Sequence, residues 1–373
     1  MRIIHCADLH LDSAMLANLD RSKARERKNE LLQTFDRMIR YAADNAVDAV
    51  IIAGDLFDSP RISSAAANTV YKAIEGNPGI DFYYLKGNHD ADGFIDGFDV
   101  IPKNLKLFDR EWSYYYTGEG GDVCICGLEP DTSGAFGENL SGLSLDTDRF
   151  NIAVLHGQET AGGNAEGATD AVNLDLLKDK GIDYLALGHV HGYKREKLDA
   201  RGVYCYPGCL EGRGFDECGE HGFVLLEIDG DRHTYSDTFV PFAGRQLYEL
   251  EVDISGCMTT FDITAEIRSG LGAAGYSRDS LLKIILTGEM SYDCEKNIDY
   301  LLKQFEHDFY FVKIYDRTKY RVDYKDFLLD ESLKGEFVRA VMADADLSEE
   351  DKSRIIRFGI KALAGEVSEI CGL

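Results

Sequence analysis

Short apolar runs alternate with longer amphipathic stretches through the first ninety residues. Residues 2–7, 48–53 and 80–86 read as strands, because each is a nearly continuous apolar run bounded by polar or glycine positions. Between the first two, residues 22–46 repeat apolar side chains at helical spacing, with Leu31, Leu32, Phe35, Ile39 and Ala42 on one face. A second helix is predicted to run to about Glu75, with Ser63 or Ser64 placed to accept the free N–H groups of its first turn. Strand, helix, strand, helix, strand predicts a parallel sheet with right-handed crossovers.

The texture changes between about 105 and 240. Residues 111–117, 122–128, 149–155, 183–187, 202–206, 222–229 and 232–239 read as strands, and one helix is expected near 173–180. This half predicts a second sheet packed on the first. The glycine-rich stretch 160–169 predicts a mobile loop. Pro241-Phe242-Ala243-Gly244 marks a boundary after a first domain of residues 1–240. Beyond it, strand 246–254, helix 259–271, strand 281–287, helix 293–306 and strand 309–315 describe a small α+β domain, 245–315. A helical segment, 323–373, closes the chain. Its first helix places Leu329, Leu333, Phe337 and Val341 four residues apart; Ser348 and Asp351 open the second as a capping box, with Ile356, Ile360, Leu363 and Val367 on one face. Two such helices either pack on the small domain or dock a partner helix.

Composition narrows the class. At 373 residues and 45% hydrophobic, the chain suits two or three domains with substantial cores. No apolar run approaches the roughly 20 residues of a membrane span, and Met1-Arg2-Ile3-Ile4-His5 enters a strand without a signal-peptide profile. Nine scattered cysteines argue for a reducing, cytoplasmic setting, and Cys124 and Cys126 read as packing residues of a strand. The net charge of −26 cuts against a free-standing nucleic-acid binder, whose footprint is basic. Basic residues do cluster locally, at Arg21, Lys23, Arg25, Arg27 and Lys28, at Lys194, Arg195 and Lys197, and at Arg213. The first cluster reads either as a solvated helix face or as a phosphate-facing one.

The chemistry sits where the apolar runs stop. Five of them end in oxygen or imidazole ligands: Asp8 and His10, Asp55, Asn88 with His89, His156, and His189 with His191. Open α/β sheets bind ligands at the carboxyl ends of their strands. The mixed donors Asp8, His10, Asp55, Asn88, His156, His189 and His191 suit Mn, Fe or Zn better than Ca or Mg. Two divalent ions sharing Asp55 could clamp a phosphate and bridge a hydroxide between them. His89 is then placed to protonate the leaving oxygen, and Asp58 either orients His89 or caps a turn. Asp12 and Asp90 read as loop braces. His5 reads as a hydrogen-bonded core residue, and His221, His233 and His307 lie off the pattern.

The order Asp8-Leu9-His10, Gly54-Asp55-Leu56-Phe57-Asp58, Gly87-Asn88-His89-Asp90, His156 and Gly188-His189-Val190-His191 resembles the calcineurin-like metallophosphoesterase superfamily. The wording of His5 to Ser13, together with Tyr206-Pro207-Gly208-Cys209-Leu210-Glu211-Gly212-Arg213 and Gly222, resembles the SbcD-type DNA exonucleases and their YhaO-like branch. The motif resemblance covers residues 3 to about 225; beyond 245 only length and element order agree. It implies an α/β fold of two sheets flanked by helices, a small α+β capping domain and a C-terminal segment that binds an SbcC-like coiled-coil ATPase. One manganese ion would be held at Asp8, His10, Asp55 and His191. The other would be held at Asp55, Asn88, His156 and His189. His89 would be the catalytic histidine and Asp58 its orienting acid. The implied activity is hydrolysis of DNA phosphodiester bonds, as exonuclease and endonuclease in DNA repair. A homodimer is compatible with this reading, and smaller phosphodiesters or phosphoproteins are the alternative substrates. An adaptor that recruits an ATPase without catalysis is the remaining alternative.

Overall fold

A computed structural model describes the chain except for residues 16–18, 59–60, 91–92, 97–99, 131–135, 161–170, 230–233, 292–293, 322–326, 328 and 364–373. The expected loop at 160–169 lies almost wholly outside the described residues, as do His233 and Val367. The chain divides into two compact units, Met1–Leu247 and Tyr248–Leu373.

The first unit runs β1 (Arg2–Cys6), α1 (Arg21–Asp44), β2 (Ala49–Ala53), α2 (Ser64–Glu75), β3 (Asp81–Leu85), α3 (Gly93–Asp96), β4 (Leu105–Leu107), β5 (Ser113–Thr117), β6 (Val123–Gly127), α4 (Phe136–Ser141), β7 (Phe150–His156), β8 (Gln158–Thr160), β9 (Ala171–Asn173), β10 (Tyr184–Gly188), β11 (Lys194–Lys197), β12 (Val203–Tyr206), β13 (Gly222–Asp229) and β14 (Thr234–Pro241). One sheet has the order β14-β13-β1-β2-β3-β4 and the other β11-β12-β10-β7-β6-β5. In the first, β1 to β4 are parallel, and β13 and β14 add antiparallel strands beyond β1. In the second, β6, β7, β10 and β12 are parallel and the two edge strands antiparallel.

Alternation along each strand assigns its two faces. Ile4, Cys6, Val50, Ile52, Phe82 and Tyr84 meet Phe35, Met38, Ile39, Val70 and Ile74 of α1 and α2. Ile3, Ile51, Ala53, Tyr83 and Leu85 point the other way and interlock with Ile125, Phe150, Ile152, Val154 and Ala186 of the second sheet. The far face of that sheet is covered by Phe136, Leu140, Leu143, Leu174 and Leu177. Two sheets packed face to face, each with a helix- or loop-covered outer side, are the α/β sandwich expected. The caps obey local chemistry: the Asp20 carboxylate accepts from Ser22 N–H and Lys23 N–H at the start of α1, and Ser63 Oγ from Ala66 N–H at the start of α2. Cys124 and Cys126 are buried on β6, as packing predicts.

The helix expected near 173–180 does not form. The segment holds β9 followed by a single 3-10 turn, Leu174–Leu176. One such turn already buries Leu174 and Leu177, and the backbone then reverses through positive φ at Asp179 (59°) and Gly181 (84°).

The second unit carries a three-stranded sheet, β15 (Leu247–Asp253), β16 (Leu281–Thr287) and β18 (Phe311–Asp316) in the order β15-β16-β18, and a paired ribbon of β17 (Glu289–Ser291) and β19 (Lys319–Arg321). Helices α5 (Thr260–Ala274) and α6 (Ile298–Phe305) close one core through Ile263, Ile267, Leu301 and Phe305. Its two terminal helices, α7 (Leu333–Ala343) and α8 (Glu349–Leu363), pack on each other through Val338, Ile356 and Ile360. Ser348 Oγ accepts from Asp351 N–H at 3.1 Å, as a capping serine should. Leu329 lies before α7 and is 89% exposed. No helix among the described residues is long and apolar enough to cross a membrane.

Candidate metal centre

Strand register brings the ligand-bearing loops to one edge of the sandwich. Cys6 pairs with Ile52, so the chain leaving β1 runs beside the chain leaving β2. Asp8 N–H donates to Gly54 O (3.1 Å) and His10 N–H to Asp55 O (2.9 Å). Ala53 pairs with Leu85, which carries Asn88 and His89 to the same edge. In the facing sheet, His156 pairs with Gly188, so His189 and His191 emerge beside it.

The loops turn sharply, and glycine is required at two of the turns. Gly54 has φ 91°, and a Cβ there would lie 2.1 Å from His156 Nδ1. At Gly87 a Cβ would lie 2.2 Å from Asp55 Oδ1. Asp8 (φ 51°), His10 (43°), Asp55 (51°) and His189 (105°) also take positive φ, a strained backbone for non-glycine residues that concentrates at functional sites.

Two groups of donors converge: Asp8, His10 and His191, and Asp8, Asp55 and His156, the ligand atoms of each lying within 4.8 Å of one another. Asp55 Oδ2 is 3.8 Å from His10 Nε2 and 3.4 Å from His156 Nε2, so one oxygen faces both histidines. His10 Nε2 and His191 Nε2 face each other at 3.2 Å, and Asp8 Oδ1 is 4.0 Å from His191 Nε2. Asn88 Oδ1 is 3.0 Å from His156 Nε2. His189 stands outside both groups; its N–H donates to the two Asp8 oxygens at 2.9 and 3.0 Å, and its ring meets that of His156 edge-on at 5.5 Å. His89 is exposed, with its ring edge-on to His10 at 5.3 Å. Its backbone N–H donates to Asp55 Oδ1 at 2.9 Å.

Electrostatics result from burial and this crowding. Burial pushes the Asp8 carboxyl up. Asp55 is also raised by burial, but the hydrogen bond and charge of His156 and the charge of His10 outweigh it and hold the carboxyl at about 2. His156, lowered by burial, is raised to about 9 by Asp55 and Asp8. Facing imidazole nitrogens and two nearly buried carboxylates are a donor set for a cation. Donors that each sit about 2.0–2.2 Å from one ion are themselves about 3–4 Å apart, and the separations here fall in that range. The residues present therefore fit divalent metal.

Asp58 departs from expectation. Its Oδ1 lies 3.2 Å from His10 Nδ1 and accepts from Arg213 Nη1 at 2.7 Å. His10 and Arg213, together with the Ser13 side chain, hold it rather than His89, because the Arg213 guanidinium draws the carboxylate to the His10 side. Asp12 and Asp90 do brace loops: Asp12 accepts from Ser63 N–H and Oγ–H, and Asp90 from the N–H groups of Leu56, Phe57 and Gly87. His5 Nδ1 meets the Tyr184 hydroxyl in the core at 2.9 Å, and His221 is buried between Cys209 Sγ and Glu217 O. His307 is exposed.

Most basic residues near this edge are already paired. Arg27 is buried, 1% exposed, on Glu30, Glu211 and Gly212 O; Lys28 pairs with Asp12, Lys194 with Glu159 and Arg195 with Asp237. Arg21, Arg25 and Lys197 are exposed. Sequence reasoning missed Glu217, whose Oε1 is 2.6 Å from His191 Nδ1. Its one signal, an acid four residues after Arg213 in a glycine-rich run, does not specify a histidine partner. It missed Glu211 too, which ties Arg27 to Thr34 Oγ1–H and Gly244 N–H.

Residues 1–193 match the family of calcineurin-like phosphoesterases. An uncharacterized metallophosphoesterase, YhaO of Bacillus subtilis, is 31% identical over 62% of this chain and 58% of its own length. The DNA double-strand break repair protein Mre11 of Methanopyrus kandleri is 29% identical over 61% of this chain and 54% of its own length. That of Aeropyrum pernix is 26% identical over 76% of this chain and 72% of its own. The matched stretch thus spans little more than half the length of the first two relatives.

Proposed function

The chain belongs to the calcineurin-like phosphoesterase family, and from that premise we propose that it is a two-metal DNA nuclease subunit that works with a coiled-coil ATPase. The observation that carries the hydrolytic part is the convergence, from four strand ends, of two donor groups that share Asp8: Asp8, His10 and His191, and Asp8, Asp55 and His156, each within ion-binding distance. Asp8, His10, Asp55 and His191 would hold one ion, and Asp55, Asn88, His156 and His189 the other, with Asp55 shared. Mixed carboxylate and imidazole donors accept manganese, iron or zinc, and manganese is the ion that the family resemblance implies. When bound, such ions supply charge neutralisation of the phosphodiester and activation of water.

The residues of this chain do the rest. Buried Asp55, held ionised beside His156 and His10, supplies an anionic donor at an edge with little water, where electrostatic interactions are stronger. The exposed His89 ring, beside His10, is the proton donor to the leaving oxygen. Its backbone N–H to Asp55 Oδ1 ties the donor's position to that of the shared ligand.

The DNA assignment is supported by the Mre11 relatives, and the partner assignment by the paired terminal helices, on which Ile355, Phe358 and Leu363 stay 36–40% exposed. A specific observation favours the second reading, hydrolysis of small phosphodiesters or phosphoproteins: the net charge of −26 and the pairing of most nearby bases leave few cations for a duplex among the described residues. The deciding experiment is a manganese-dependent assay on linear single- and double-stranded DNA ends, with and without the ATPase. Cleavage of DNA supports the nuclease. Hydrolysis of bis-p-nitrophenyl phosphate with DNA left intact by the complex refutes it.

A further inference from the structure

The two histidine groups of the centre are braced differently. His156 Nδ1 lies 2.9 Å from a neutral backbone carbonyl, Ala53 O. His191 Nδ1 lies 2.6 Å from the Glu217 carboxylate, and His10 Nδ1 lies 3.2 Å from that of Asp58, off the line of a full hydrogen bond. One guanidinium joins these two acids: Arg213 Nη1 donates to Asp58 Oδ1 at 2.7 Å and Nη2 to Glu217 Oε1 at 2.9 Å. Arg213 N–H also donates to Glu217 Oε2 at 2.6 Å, which fixes the second carboxylate oxygen as well. The result is a closed chain, His10–Asp58–Arg213–Glu217–His191, and its two ends face each other through Nε2 at 3.2 Å.

We propose that Arg213, with Asp58 and Glu217, is a clasp that positions His10 and His191 as one ligand pair and makes their ion site stronger than the one at His156. The inference rests on the two-metal reading above. Three physical effects combine. The Glu217 carboxylate on His191 Nδ1 holds the proton there and leaves Nε2 as the free donor, and it raises the basicity of that donor more than a carbonyl does. A planar guanidinium holds two carboxylates at set angles, which a lysine ammonium cannot reproduce. Both imidazoles are thereby oriented before an ion arrives, so the site loses little freedom on binding. Arg213 touches no reacting atom; it is a positioning residue. It also connects the run from Tyr206 to Arg213 with the Gly54–Asp58 stretch, which nothing in the strand-end pattern would join.

The test is manganese titration of the metal-free full-length protein by calorimetry, with bound Mn counted by electron paramagnetic resonance. Wild type is expected to bind two ions. Glu217→Gln should weaken one of the two dissociation constants by about 10- to 100-fold, the usual effect of removing a carboxylate behind a ligand histidine, and leave the other constant within twofold. Asn88→Ala should weaken the other. Arg213→Lys should resemble Glu217→Gln, because it keeps charge and loses the fork. Asp58→Asn carries the same test from the His10 end should Glu217→Gln fail to fold. Unchanged constants in Glu217→Gln, or an equal loss of both, overturn the clasp while two ions on wild type leave the metal reading standing. No manganese binding by wild type overturns that reading, and the clasp with it.

Discussion

Asp55 shows how much one side chain can be asked to do. Its Oδ2 faces His10 and His156, and its Oδ1 accepts from the His89 N–H. Asp55→Ala should therefore cost both ions; metal analysis that still finds two per chain would sink the shared-ligand role. His89→Ala should behave oppositely. It should keep both ions and lower turnover by about 10²- to 10⁴-fold, the range for losing a general acid; turnover within tenfold of wild type removes His89 from the reaction. Arg27 has a structural role instead. It sits in a basic cluster yet is 1% exposed, paired with Glu211. Arg27→Met leaves Glu211 buried without its cation, and breaking a buried pair costs about 3–5 kcal/mol, to be read from the urea midpoint of unfolding.

At the scale of elements, the site depends on where strands stop. The register of β1 on β2, of β2 on β3 and of β7 on β10 aligns their carboxyl ends, and the turns just beyond them are tight enough to need glycine. Gly54→Ala is expected to destabilise the fold by at least about 1 kcal/mol, since positive φ and a collision act together. It should also displace His156, because the new methyl points at its Nδ1. A melting temperature and metal content both equal to wild type would show that the turn relaxes freely. The same scale exposes the one helix that failed to form. Leu174 and Leu177 are three residues apart, a spacing that one 3-10 turn serves as well as an α-helix.

At the scale of the whole molecule, charge limits what the chain can do alone. With −26 net charges and most nearby bases paired, the isolated chain should make few phosphate contacts. Each contact contributes about −0.9 to the slope of log affinity against log salt on duplex DNA. The chain alone should therefore show a shallow slope and its complex with the proposed ATPase partner a steep one; equal slopes would place the DNA-binding surface on this chain. Deleting 323–373 should abolish co-purification of the ATPase and spare the metals, and survival of the complex would refute docking through α7 and α8.

The strand-end pattern of Asp8, His10, Asp55, His156 and His191 was legible because short-range rules govern it. A short apolar run bounded by turn residues reads as a buried strand, and the residues after it lie at the sheet edge. The two-sheet α/β architecture was legible for the same reason. Partners across long sequence distances were not. Asp58 lies on His10 and Arg213 rather than on His89, Glu217 lies behind His191, and Arg27 is buried on Glu211. A charged side chain carries no mark of which opposite charge it will meet; packing of the two sheets and the 206–217 loop decides that. Sequence alone thus determined which polar side chains follow the strands and the edge where they gather. Only the tertiary structure decided which acid braces which histidine, because that choice belongs to distances between segments and not to any one of them.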